Sequence, residues 1–254
     1  MKISRYKRKK FPTYVIQNLE VLIVVPAYNE SATIGKVVSQ IRQEGFSCVV
    51  IDDGSEDATA ELAKDAGANV LQLPFNAGVG GALRCGFRYA VENDFKAVIQ
   101  CDADGQHQSH LFHDLIRAAN TTQADVVLGS RFLSSENTLD PHIVRRFAMW
   151  WLARVASRAT GRKITDSTSG FRLIRRPLLD ELSVHLPEYY LGDTFEALVV
   201  IGRAGYFVEE IGTAMAPRQS GVSSASNGRA IALIGKSLTT VLLGLHFRIK
   251  KKSQ

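Results

Sequence analysis

The chain has 254 residues, 45% hydrophobic and 22% charged, which suits one large α/β domain or two small ones and excludes a disordered chain. Its formal net charge of +6 is unevenly placed: six Lys/Arg stand in residues 1–10 and four more (Arg248, Lys250, Lys251, Lys252) near the other end, with no acid in either stretch, so the body carries 21 basic and 25 acidic residues, a net of −4. That balance excludes a large cationic footprint for nucleic acid, and three cysteines (Cys48, Cys85, Cys101) are too few for a disulfide framework and fit a reducing, cytosolic compartment.

Residues 1–19 read as a basic tail. No apolar stretch follows the basic start, so no secretory leader is expected. No uncharged apolar run reaches the roughly 18 residues of a membrane span. From Val21 short apolar runs alternate with helical segments. The runs are residues 21–25, 48–51, 69–73, 97–100 and 125–128, each rich in β-branched residues and bounded by Gly, Asn, Asp or Pro. Between them lie helix-period sets such as Ile34, Val37, Val38, Ile41 and Leu83, Phe87, Ala90, Val91. This alternation predicts crossover units and a mainly parallel sheet covered on both faces.

Residues 132–165 contain a basic and aromatic helical stretch with Arg145, Arg146, Trp150, Trp151 and Arg154. Asp166-Ser-Thr-Ser-Gly-Phe-Arg172 and further α/β material to about residue 216 follow. The single globular domain is expected over 20–226. Residues 227–254 read as an amphipathic helix (Ile231, Ile234, Leu238, Val241, Leu242, Leu245) and a second basic tail. Such a helix suits an interfacial anchor or, equally, a core-packed or oligomer contact. Basic tails bind anionic surfaces or simply remain solvated.

In an open α/β sheet, ligands bind outside the carboxyl ends of the strands. Four run ends deliver chemistry there: Pro26-Ala-Tyr-Asn-Glu30, Asp52-Asp-Gly-Ser55, Asp102-Ala-Asp-Gly-Gln106 and Gly129-Ser-Arg131. Asp102 and Asp104, two apart at a strand end, can aim both carboxylates at one place. Like charges held close call for a cation, and a hard Mg²⁺ or Mn²⁺ shared with a substrate phosphate answers that need. Gln106 adds a neutral oxygen. A plain turn is the alternative for these residues.

Tyr28 can stack on a base, and Glu30 can accept from ribose or base hydrogens or act as a first-turn helix acid. Asp53 can accept from a base N–H and shape its own turn. Asn76-Ala-Gly-Val-Gly-Gly81 lacks the P-loop ending and the Rossmann spacing; it reads as a loop, including Gly78, that lets backbone approach a ligand at a helix N-terminus, or as simple packing. Arg131 and Arg218 suit bidentate phosphate contacts, and Gly221-Val-Ser-Ser224 suits a closing loop. His107, His110 and His113 are spaced for one helix face, but no further Cys or His supports a zinc site.

These segments, together with Asn76-Ala-Gly-x-Gly-Gly-Ala82, Ser169-Gly-Phe-Arg172 and Arg218-x-x-Gly-x-Ser-Ser224, resemble a family 2 glycosyltransferase of GT-A fold over about residues 20–224. Within it the chain is most similar to the polyprenyl-phosphate (dolichol-phosphate) mannosyl- and glucosyltransferase branch. The resemblance implies a Rossmann-like, mainly parallel sheet with an acceptor-side extension. It implies that Pro26, Tyr28, Glu30 and Asp53, with Ala27, Gly78 and Ala103 beside them, contact the nucleotide sugar. Asp102, Asp104 and Gln106 would serve the metal and diphosphate, and Arg131 and Arg218 the phosphates of donor or lipid acceptor. Inverting transfer of a hexose from GDP-mannose or UDP-glucose to a polyprenyl phosphate is then expected, at the inner face of a membrane. Asp193 and Glu196 keep a sugar hydroxyl in cell-envelope polysaccharide in play as acceptor, with one of them as base. A nucleotidyltransferase is disfavoured because Tyr28-Asn-Glu30 replaces the Gly-rich loop after the first strand.

Overall fold

The computed structural model describes residues 14–133, 143–187, 194–213 and 248–252. Seven strands among them form one sheet in the order β3-β2-β1-β4-β6-β5-β7. They are β1 (Val21–Ala27), β2 (Ser47–Asp52), β3 (Asn69–Gln72), β4 (Ala97–Gln100), β5 (Val126–Ser130), β6 (Arg172–Arg175) and β7 (Val208–Gly212). All run parallel except β6, which lies antiparallel between β4 and β5. The carboxyl ends of β1, β2, β4 and β5 therefore share one edge of the sheet.

The helices are α1 (Ile34–Gln43), α2 (Thr59–Asp65), α3 (Gly78–Glu92), α4 (Leu111–Thr122), α5 (Ile143–Thr160), α6 (Leu178–His185) and α7 (Thr194–Arg203). In α1 the buried residues are Ile34, Val37, Val38 and Ile41, one face at helical spacing. Strand β1 is buried on both faces: Leu22 and Val24 join the core beneath α3, α5, α6 and α7, while Val21, Ile23 and Val25 join the core beneath α1 and α4. Gly86 lets α3 approach closely, for a Cβ there would lie 2.3 Å from Val24 Cγ1.

Pro26 sits inside a central strand, where its missing N–H should break the ladder. It does not. The Val24 carbonyl accepts from Cys101 N on the β4 side, and the Ala27 carbonyl accepts from Asp53 N on the β2 side. By alternation the Pro26 nitrogen faces β4, beyond the last ladder bond. Proline thus ends the pairing with β4 and lets the chain turn out into the site.

At the opposite edge, residues 248–252 are docked rather than solvated. Ile249 packs on the core, and Lys252 N donates to the Ala204 carbonyl. The Lys252 ammonium lies 2.8 and 2.6 Å from the two oxygens of Asp125, and Lys250 N donates to Glu181 Oε2 at 3.0 Å. Two cations read in the sequence as a basic tail thus meet acids of the body. The remaining tail and anchor features, residues 1–13 and 229–247, lie outside the described residues, as do Asp193, Arg218 and the 221–224 loop.

Candidate functional site

The loops after β1 and β2 are tied to each other before they reach any ligand. Asn29 adopts a left-handed φ of 54°. Its N–H donates to Ser55 Oγ at 2.9 Å, and its side-chain oxygen accepts from Glu56 N at 2.9 Å. Glu30 N donates to Thr59 Oγ1 at 2.8 Å. Tyr28 projects from this staple with 44% of its surface exposed, available for stacking. Ala27 is buried at the strand end beneath it.

Asp53 is buried, and both its oxygens are occupied: Oδ1 accepts from Ala77 N at 2.7 Å and Oδ2 from Gly78 N at 2.9 Å. Burial pushes its carboxyl pKa up, against the two backbone donors, with Asp52 adding to the rise. The glycine-rich loop thus meets the body, not open space: its first helix N–H groups are capped by Asp53. Gly54, at φ +75°, allows this approach, since a Cβ would lie 2.9 Å from the Phe75 carbonyl carbon.

The acidic segment after β4 forms a turn whose shape Asp104 sets. Asp104 is buried, and its Oδ1 accepts from Gln106 N at 3.0 Å across Gly105, whose φ is 76°. Ala103 is buried between the acids. The Asp102 side chain is 44% exposed, while the His107 side chain that reaches its Oδ2 at 3.1 Å is 1% exposed. Burial pushes the His107 pKa down, opposed by Asp102 and Asp104. The expectation of three histidines on one helix face fails, because α4 starts at Leu111. His107 lies in the preceding turn, and His113, in α4, instead meets Glu44 Oε2 at 3.1 Å.

Arg131 follows β5. Its Nε and Nη2 bond the two oxygens of Asp166 at 2.8 and 2.9 Å, and Nη2 also reaches Thr168 Oγ1 at 2.9 Å. The hydrogen bond with Asp166 raises the guanidinium pKa against burial, and the charge of Asp102 adds to the rise. The forked edge expected to clamp a phosphate is thus taken by Asp166. Asp166 is fixed in turn: its N–H donates to Glu210 Oε1 at 2.7 Å. The local sequence signals Asp166 only as an acid inside a Ser/Thr-rich stretch, and nothing in the pattern around Glu210 marks it.

Gly170 completes the edge. A Cβ there would lie 3.3 Å from Asp102 Oδ1 and 3.4 Å from Oδ2. The strand ends therefore gather Tyr28, Glu30, Asp53, Asp102, Asp104, Gln106 and Arg131 along one edge. Among the described residues no group of three or more His, Cys, Asp or Glu side chains forms a metal cage. The hard oxygens of Asp102 and Asp104 fit a divalent cation that takes its remaining ligands from phosphate and water, as Mg²⁺ and Mn²⁺ do.

Comparison with known proteins gives the following. The family profile for Glycosyl transferase family 2 matches residues 22–183. The uncharacterized protein MJ1222 of Methanocaldococcus jannaschii is 35% identical over 154 residues, 60% of this chain and 63% of that protein, so the chain spans less than two thirds of that relative. The undecaprenyl-phosphate mannosyltransferase of Micrococcus luteus is 27% identical over 235 residues, 88% of this chain and 93% of that protein. A crystal structure of glucosyl-3-phosphoglycerate synthase from Mycobacterium tuberculosis, in complex with Mn²⁺, UDP-glucose and phosphoglyceric acid, superposes with a TM-score of 0.62 at 20% identity, covering 88% of this chain and 78% of that one. That likeness shows the fold, GT-A.

Proposed function

This chain belongs to glycosyl transferase family 2 and is a glycosyltransferase, and from that premise we propose that it moves a hexose from a nucleotide sugar, of the GDP-mannose or UDP-glucose type, to a polyprenyl phosphate with inversion. One observation carries the donor half: Asp102 and Asp104 follow β4 at the same sheet edge where Asp166 fixes the cation Arg131. The acceptor half rests on the undecaprenyl-phosphate mannosyltransferase of M. luteus, matched over 88% of this chain.

In this reading Pro26, Ala27, Tyr28, Glu30 and Asp53 border the nucleoside, with Gly78 and Ala103 behind them. Asp102, Asp104 and Gln106 would hold Mg²⁺ or Mn²⁺ against the diphosphate. Bound there, the cation offsets charge developing on the leaving nucleoside diphosphate. Arg131 adds a fixed positive charge, and Arg218 is proposed as a second phosphate contact. An acceptor phosphate oxygen forms the new bond to the anomeric carbon while the bond to the donor β-phosphate oxygen breaks, its electron pair leaving with the nucleoside diphosphate. The acceptor is already an anion, so no general base is required.

Among the described residues no helix is long and apolar enough to cross a membrane. Peripheral attachment at an anionic inner leaflet through the six cations of residues 1–10 is part of the proposal. A second reading is transfer to a sugar hydroxyl, for which Glu196, whose carboxyl pKa is raised by burial, or Asp193 would take the proton.

The test is incubation with nucleotide sugars, Mg²⁺ or Mn²⁺ and membrane lipid extract, followed by mass spectrometry of the lipids. A hexosyl phospholipid is expected, and Asp104→Ala should abolish it with an unchanged circular dichroism spectrum. Absence of any glycolipid alongside a glycosylated saccharide would replace the lipid acceptor with a hydroxyl.

A further inference from the structure

His107 stands beneath the site, not in it. Its ring lies 4.7 Å from the Phe171 ring at 60°, and Phe171 in turn lies 5.9 Å from Phe112, so the imidazole is wedged into the aromatic packing under α4. That packing calls only for an aromatic ring, which a phenylalanine would also supply. What a phenylalanine lacks is the nitrogen that rises from the core to the Asp102 carboxylate, 3.1 Å away.

The other nitrogen decides which tautomer is present. Nδ1 is buried and has no hydrogen-bond partner among the described residues. A buried N–H without an acceptor is costlier than a lone pair without a donor. The proton therefore sits on Nε2, and His107 donates to Asp102 Oδ2. Against the same carboxylate stands Gly170, where a methyl group would come within 3.3 Å of Oδ1 and 3.4 Å of Oδ2. The carboxylate of Asp102 is thus held from below by a donor and limited from the side by bare backbone.

We propose that His107 is a positioning residue for metal binding: its Nε2–H, held in place by the packing of the ring against Phe171, fixes the Asp102 carboxylate so that a divalent cation meets an oriented ligand. This rests on the reading of Asp102 as a ligand of that cation. Partners that orient a metal's ligands commonly change affinity by about 10- to 100-fold when removed.

The experiment titrates Mn²⁺ by electron paramagnetic resonance with GDP and with UDP, on the wild type, H107F and H107Q. H107F keeps the packing against Phe171 and removes the donor; H107Q restores an N–H near the Nε2 position. The expected result is Mn²⁺ affinity at least tenfold weaker in H107F and within about threefold of wild type in H107Q, with far-ultraviolet circular dichroism unchanged in both. The apparent Mn²⁺ requirement of transfer should rise in H107F while kcat at saturating Mn²⁺ stays near wild type, which a merely structural loss would not produce. Wild-type affinity in H107F overturns the positioning role alone. A wild type that binds no Mn²⁺ with either nucleotide overturns the metal reading itself and the role with it. Should H107F fail to fold, nitrogen-15 shifts of the wild-type ring decide: a proton on Nδ1, or a ring unmoved by D102N, overturns the proposal.

Discussion

Arg131 and Asp166 meet in a two-point ion pair, Nε to Oδ2 at 2.8 Å and Nη2 to Oδ1 at 2.9 Å, with the Asp166 side chain fully buried. The pair links three pieces of chain. Glu210 on β7 holds the 165–166 backbone, Asp166 holds Arg131, and Arg131 closes the end of β5. The guanidinium is therefore a fixed charge whose direction the protein has already chosen. In the proposed reaction such a charge would need little reorganisation, which is how preorganised charge lowers a barrier.

Asp166→Ala should remove that direction and leave a largely buried cation without its acid. The expected loss is about 3 kcal/mol of stability by urea denaturation. Transfer should fall by roughly 100-fold in kcat/KM, the scale of a displaced catalytic group. A variant that unfolds like wild type and transfers at the wild-type rate would refute the role.

Gly170→Ala tests the side wall of the acidic segment. The new methyl would lie 3.3 Å from both Asp102 Oδ1 and Gln100 Nε2, tight enough to shift the carboxylate. Transfer should drop by about tenfold through misplacement alone. The melting temperature should move by only a few degrees, about 2–4 °C, because no core volume changes.

Lys252→Met separates stability from catalysis. It removes the ammonium from Asp125, which keeps the Phe207 N–H at 2.7 Å. A loss of about 2 kcal/mol is expected, the scale of a hydrogen bond to a charged group. The site lies at the opposite edge of the sheet, so kcat/KM at 25 °C should remain within about twofold of wild type.

Glu196→Gln tests pH dependence. Burial raises the folded-state pKa of Glu196, so the ionised form is disfavoured in the native state. The penalty is absent below the unfolded carboxyl value and present once pH exceeds the raised folded value. The variant should melt higher than wild type at pH 7–8, and the difference should vanish near pH 4. If transfer to a saccharide hydroxyl survives the change, Glu196 is not the base of the hydroxyl-acceptor reading.

The cysteines offer a chemical probe of the core. Burial pushes the Cys48 thiol up to about 11 and the buried Cys101 thiol well above its ordinary value, with Asp102 and Asp104 adding to the latter. Native protein treated with iodoacetamide at pH 8 should be modified at half-buried Cys85 alone, as read by peptide mass spectrometry.

Five of the seven strands were legible in the sequence because their apolar runs are local: residues 21–25 and 97–100 read as strands whatever they pair with. So were the acids, Tyr28 and Arg131 at the strand ends, since a parallel sheet delivers its carboxyl ends to one edge. β6 was not legible. Its sequence Arg-Leu-Ile-Arg looks half polar, yet Arg172 and Arg175 are both buried, bonded to the carbonyls of Ser169, Ala119 and Tyr14. β7, Val-Glu-Glu-Ile-Gly, hid for a similar reason: Glu210 serves the backbone before β6.

The order of charges along the chain says which groups exist; only folding says which groups face each other. The sequence by itself determined the family resemblance, the parallel sheet and the edge where the acids, Tyr28 and Arg131 gather, all set by short-range pattern. Tertiary structure alone decided that Asp166 takes the fork of Arg131, that His107 stands under Asp102, and that Lys252 is an internal ion pair instead of a free tail. Each joins residues distant in sequence or turned by an irregular loop, and no periodicity encodes such a meeting.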